Sequence, residues 1–238
     1  MKGNSEQTIY SHLLELRKAV LCSITCIFVI TLILIPFSNE IYNFVASPLI
    51  AKLPDGSSMI ATEVASPFFA PFKLTLCCGI FFSMPFILFQ VWTFIAPGLY
   101  KSEKRLMLPI LISSSLLFYL GILFCYHSVF PILFSFFTSS APSNIMIMTD
   151  INHYLNFILK LFFAFGVSFE IPIATILLVK SKIITTEKLS SNRPYVIIFA
   201  FFVGMLLTPP DVISQILLAV PICFLFEIGL VLGKFFEK

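Results

Sequence analysis

The stretch YLNFILKLFFAFGVSFEIPIATILLV, residues 154–179, decides the fold. It carries two charges, Lys160 and Glu170, in a run that is otherwise almost wholly apolar. About 20 such residues cross a hydrocarbon core of about 30 Å, so the run predicts a transmembrane helix. Glu170 sits near its middle, where an ionised side chain costs at least about 2.5 kcal/mol by insertion scales. An acid there is either a functional group or hydrogen-bonding glue between helices. Lys160 is ten residues away, about 15 Å along a helix, too far to pair with it on the same helix.

The rest of the chain has the same character. Of 238 residues, 58% are hydrophobic and 11% charged, against about 25% charged in a soluble domain. This predicts an all-α integral membrane protein, a single domain over residues 1–238 with little room for a water-soluble part. The six cysteines all lie in apolar stretches, and no CxxC occurs; such cysteines behave as small hydrophobes. No metal, cofactor or nucleic-acid partner is expected. Walker A, HExxH and GxSxG motifs are absent, so no enzymatic activity is expected either. The first 18 residues are polar and amphipathic and no cleavage signal follows them, so the first apolar run should be retained.

Six spans are predicted, over residues 19–35, 72–95, 106–130, 154–179, 195–207 and 212–232. Ile9, Leu13, Leu16 and Val20 form one helical stripe, which suggests an arm lying at the membrane interface before the first span. Pro36 should stop that span, and Pro48 should end a short helix over residues 41–45 in the long loop that follows. Pro85 falls inside the second span, and residues 131–153 read as a second long loop. The fifth span has 13 residues, roughly 20 Å and short of the hydrocarbon core. Glu227 is expected to shorten the sixth as well. Twelve Lys/Arg lie in the arm, the 96–105 loop, the 180–193 loop and the tail, against Lys52 and Lys73 on the other side. That asymmetry predicts both termini in the cytoplasm.

Few residues stand out for chemistry. Glu15 and Glu103 each lie among basic residues at the cytoplasmic membrane edge. They read either as solvated partners of Lys18 and of Lys101 or Arg105, or as a receptor for adjacent arginines, whose guanidinium forks grip carboxylates in a way lysine does not copy. Asp211 opens the sixth helix after two prolines, a position the helix dipole favours. Gln215, one turn later, calls for a partner helix. Gln90 is a candidate partner for Glu170. Lys160 lies toward the outer side, where its stem can snorkel.

Six motifs carry a resemblance: HLLELR at 12–17, ASPFFAPFK at 65–73, FIAPGLYKSEKR at 94–105, FGVSFEIP at 165–172, RPY at 193–195 and MLLTPPDVISQ at 205–215. They run in order along nearly the whole chain, which resembles the TatC family, the multispanning receptor of the twin-arginine protein translocase. The resemblance implies export of folded proteins across the bacterial cytoplasmic (inner) membrane, driven by the proton-motive force. By motif match, binding of twin-arginine signal peptides falls on Glu15, Arg17, Phe94, Pro97, Leu99 and Glu103. The implied partners are single-span proteins of the TatA/TatB type, met through the fifth and sixth helices near Gln215, and further copies of the chain. Pro48 and Asp211 match outer-side positions associated with function. Phe89 stands where many relatives have tyrosine. The competing reading is a proton- or ion-coupled transporter with Glu170 as its titrating group.

Overall fold

The computed structural model describes residues 2–51, 58–95, 107–140, 148–208 and 212–236, with side chains over 13–51, 58–94, 108–140, 148–208 and 212–235. Among them the chain is helical apart from one pair of two-residue strands. Helix α1 runs from Lys2 to Leu34 without a break, so the predicted interfacial arm is the first part of a long helix. A 3-10 turn, Ile35–Phe37, carries Pro36 and leads straight into α2, Ser38–Ile50. The second span consists of α3, Ser66–Phe82, and α4, Met84–Ile95, bent by 48° at Ser83. Helix α5, Met107–Phe124, passes through a π-helical turn at Cys125–Val129 into α6, Phe130–Ser139. Helices α7, Ile151–Ser168, and α8, Ile171–Lys180, contain the apolar run 154–179, broken at Glu170. A short α9, Thr186–Ser191, precedes α10, Arg193–Leu207, and α11, Val212–Phe236.

Four of these runs are long and apolar enough to cross a membrane, and the bent α3–α4 pair makes a fifth; α10 is apolar but has only 15 residues. The protein is therefore a multi-pass membrane protein. Large side chains exposed on α1, α10 and α11, such as Phe28, Phe199 and Phe224, form its lipid-facing surface. The core lies between α3, α5, α6 and α7, around the fully buried Phe118, Phe130, Phe165, Leu133 and Ile158. Backbones approach closely along the α5–α7 seam: a Cβ on Gly121 would lie 2.6 Å from the Phe165 carbonyl oxygen, and one on Gly166 would strike the Phe118 ring. Small residues at such crossings are how helices pack in lipid, where no hydrophobic force drives them together.

Pro48, read as a helix stop, does not stop its helix, and the loop expected from residue 131 begins as helix. Pro48 lies inside α2, which continues to Ile50. Its missing N–H leaves the Phe44 carbonyl without a helical donor, and that carbonyl instead accepts from the Ser47 hydroxyl at 2.8 Å and the Tyr126 hydroxyl at 2.9 Å. The Tyr126 ring stacks on Phe44, centroids 5.1 Å apart. Pro131 directly follows the π-helical turn Cys125–Val129 within one continuous helical run, Leu108–Ser139; the turn accommodates the missing N–H, so the expected long loop from 131 is helical as far as Ser139. Pro85 shows the same compensation as Pro48: Phe81, four residues before it, offers its carbonyl to the Tyr119 hydroxyl at 3.2 Å.

The sixth helix is also longer than expected. Helix α11 has 25 residues. Glu227 does not interrupt it, because Arg193 at the start of α10 meets its carboxylate with two bonds of 2.6 and 2.9 Å. Only α10 is short.

The membrane face opposite the N terminus is closed by a polar clasp. Strand β1, Met59–Ile60, pairs in parallel with β2, Thr149–Asp150. Asp150 caps α7 by accepting from the Asn152 and His153 amides at 2.9 and 3.0 Å, and receives the Thr62 hydroxyl at 2.6 Å and the Thr62 amide at 3.1 Å. Asn152 donates to Ser66 at 2.6 Å, and Tyr154 donates to the Val45 carbonyl at 3.0 Å. The Thr62 hydroxyl first, then the backbone amides, hold the Asp150 carboxyl down to about 2.

Two outcomes are expected. Tyr126→Phe should cost about 1 kcal/mol with Pro48 in place, and less in a Pro48→Ala background, where an N–H returns to the Phe44 carbonyl; equal losses in thermal unfolding would refute the compensation. Because the folded Asp150 carboxyl titrates below its ordinary 3.8, the clasp's contribution is complete above that value and is lost as pH falls through about 2. Unfolding of Asp150→Asn followed from pH 5 to pH 2 should lack this acid-dependent component.

Candidate functional site

Past the bend at Ser83, α4 packs against α1, and the two helices enclose an open groove of about 480 Å³. Glu15, Lys18, Ala19 and Cys22 line it from α1; Gln90, Thr93 and Phe94 line it from α4. Glu15 and Lys18 are one helical turn apart and share the same wall, both exposed. Thr93 turns its hydroxyl back to the Phe89 carbonyl at 2.8 Å. Beyond Cys22 the α1–α4 seam continues as an apolar trough past Val29, Ile30 and Phe86. The groove is therefore acidic and basic at its mouth and apolar along its length.

This arrangement brings together Glu15, Phe94 and Gln90 from the residues the sequence singled out. Arg17 is exposed on α1 and does not line the groove. Pro97, Leu99, Glu103 and Asp211 lie outside the described residues. Phe94 stands two residues before the segment that contains Pro97, Leu99 and Glu103. Pro48 is in the clasp region, shaping α2 as described.

Glu170 occupies the break between α7 and α8, with Pro172 in the first turn of α8. Its Oε2 accepts a bond from the buried Ser114 of α5. Its Oε1 is buried and has no hydrogen-bond partner among the described residues. A buried lone pair left unmet costs about 1–3 kcal/mol, so this carboxyl holds unused capacity for a polar group. Gln90, the partner the sequence suggested, instead lines the α1–α4 groove. Ser114 went unnoticed; its signal is the run of three serines, 113–115, inside an otherwise apolar span.

Gln215 on α11 donates from Nε2 to the Phe201 carbonyl of α10 at 2.8 Å. The partner helix it called for is the neighbour in its own chain. Gly204 makes room, since a Cβ there would lie 3.0 Å from the Gln215 Cγ. With Arg193–Glu227 at the other end, α10 and α11 are pinned at both ends. Among the described residues, no cluster of His, Cys, Asp or Glu could hold a metal ion.

Comparison with known proteins gives one answer. The family described as Sec-independent protein translocase protein (TatC) matches residues 11–221. A Haemophilus influenzae protein of that description is 53% identical over 98% of this chain and 91% of its own length. One from Escherichia coli K12 is 53% identical over 99% of this chain and 92% of its own. A solved structure described as the twin arginine translocase receptor TatC superposes with a TM-score of 0.86 at 36% identity, over 95% of this chain and all of that one. The chain belongs to the TatC family of Sec-independent protein translocase subunits.

Proposed function

We propose that this subunit is a receptor for twin-arginine signal peptides and carries out no chemical reaction of its own. The observation that carries the reading is the α1–α4 groove. It sets the Glu15 carboxylate at the head of an apolar trough and leads through Phe94 into the segment that contains Glu103. An export signal has a basic segment followed by an apolar one, and the groove offers those two surfaces in the same order. Guanidinium forks bind carboxylates bidentately, which ammonium groups do not, so two acids favour adjacent arginines over lysines.

In this reading the chain has six spans, with α10 as the short fifth and both termini in the cytoplasm of a bacterium, within its inner membrane. Glu15, Arg17, Phe94, Pro97, Leu99 and Glu103 receive the peptide. Single-span TatA/TatB-type partners and further copies of the chain assemble around α10 and α11, and folded proteins cross using the proton-motive force. Gln215 serves that assembly indirectly, by fixing α11 against α10. Asp211 and Pro48 act on the outer face, Pro48 by shaping α2. Glu170, with one carboxylate oxygen unmet, takes a polar group of an inserted peptide or partner helix after recognition.

Binding of an Arg-Arg signal peptide to the purified full chain should exceed that of its Lys-Lys counterpart. Charge reversal at Glu15 or Glu103 should weaken the Arg-Arg peptide at least about tenfold, about 1.4 kcal/mol, with the fold intact by thermal unfolding. Equal retention of both peptides sinks the bidentate mechanism. Glu170→Gln should leave peptide binding unchanged and lower export; loss of peptide binding in that variant would place Glu170 in the recognition step.

A further inference from the structure

A second groove, of about 760 Å³, lies between α7 and α10. On α7 the residues facing it are Asn156, Lys160, Phe163 and Val167, spaced as one helical stripe. Phe199 and Val203 of α10 form the facing wall. Lys73 of α3 enters at the end away from the N terminus and donates its ammonium to the Asn156 side-chain oxygen. Two cations thus stand at one end of a surface that is otherwise almost wholly apolar. Among the described residues no Asp or Glu lines the groove, and neither lysine has a carboxylate within ion-pair distance. Charges held against apolar surface are costly unless met by an opposite charge.

The depth of these lysines identifies what meets them. Helices α7 and α8 together span 30 residues, about 45 Å against a core of about 30 Å. About 7 Å therefore overhangs at each end. Lys160 lies nine residues beyond Ile151, about 14 Å along the helix, so its backbone is about 7 Å inside the core. The opposite wall, α10, has 15 residues, about 22 Å. Its shortness draws the bilayer surface inward by as much as about 8 Å. Beside α10 the lipid phosphates reach the level of the Lys160 ammonium, whose stem extends outward to meet them. An ordinary membrane protein avoids lysine on this face; here two lysines share one groove.

We propose that the α7–α10 groove holds an anionic phospholipid of the outer leaflet. Its phosphate is bound by Lys73 and Lys160, and one acyl chain lies along Phe163, Val167, Phe199 and Val203. The site is separate from the α1–α4 groove and does not depend on the receptor reading. The occupied lipid completes the wall of the α7–α10 seam and gives the short α10 its thinned annulus.

The test uses the full chain in detergent, with phosphatidylglycerol and phosphatidylcholine of matched acyl chains, read by native mass spectrometry and thermal unfolding. Phosphatidylglycerol should be retained several-fold better than phosphatidylcholine and should raise the melting temperature more. Lys73→Gln with Lys160→Gln should abolish the difference, and Lys160→Arg should keep it. Val203→Trp, which fills the groove without touching charge, should also reduce retention. Equal retention of the two lipids by the wild type, or an unchanged preference in the double variant, overturns the proposal. So does crosslinking in membranes from Val203→Cys predominantly to a single-span protein, which would make the groove a helix-docking site.

Discussion

A backbone carbonyl inside a membrane must find a donor within the protein, because lipid supplies none. That requirement bears on the Phe81 carbonyl at mid-membrane depth, and the same device recurs at Phe44 on the outer face. Pro48 and Pro85 each remove a helical donor, and the carbonyls four residues earlier, on Phe44 and Phe81, accept from Tyr126 and Tyr119. The two tyrosines are seven residues apart, two turns along α5 and its π-helical extension, so a single helix edge serves both irregular neighbours. The prolines allow α2 to fold over the bundle and α3 to bend into α4. The tyrosines turn those irregularities into tertiary contacts.

The same rule governs charge. Arg193 and Glu227 meet in a bidentate pair, Glu170 takes the Ser114 hydroxyl, and Lys73 takes the Asn156 amide oxygen. Each joins two helices. The Arg193–Glu227 pair lies at the exposed edge, where an ion pair adds little stability. Its effect is positional: it fixes where α10 begins against α11. With Gln215 holding Phe201, the short helix has almost no freedom to slide toward either membrane surface.

The sequence revealed the elements better than their continuity. Apolar runs marked every span, because lipid selects composition over about 20 residues. Pro48 misled, since a proline stops a helix only when nothing replaces the lost bond, and the loop expected from 131 is helical to Ser139 because a π-helical turn carries α5 into α6. Glu227 misled likewise, because its partner lies 34 residues earlier. For the site, HLLELR and FIAPGLYKSEKR located Glu15 and Phe94, and the fold brings both to one groove. Ser114 and the Lys73–Asn156 bond were illegible: a hydroxyl or amide in an apolar helix names no partner until two helices are placed side by side.

The 48° bend at Ser83 acts as a lever. Helix α4 beyond it has 12 residues, about 18 Å, so its far end is carried sideways by about 13 Å from the line of α3. Phe94 stands at that far end, where it lines the groove shared with the first part of α1. The position of this wall therefore depends on the angle at Ser83, which lies at mid-membrane depth and does not itself line the groove. A change of a few degrees at Ser83 moves Phe94 by more than an ångström relative to Glu15. The spacing between the acidic mouth and its aromatic floor is thus inherited from a hinge in the lipid interior.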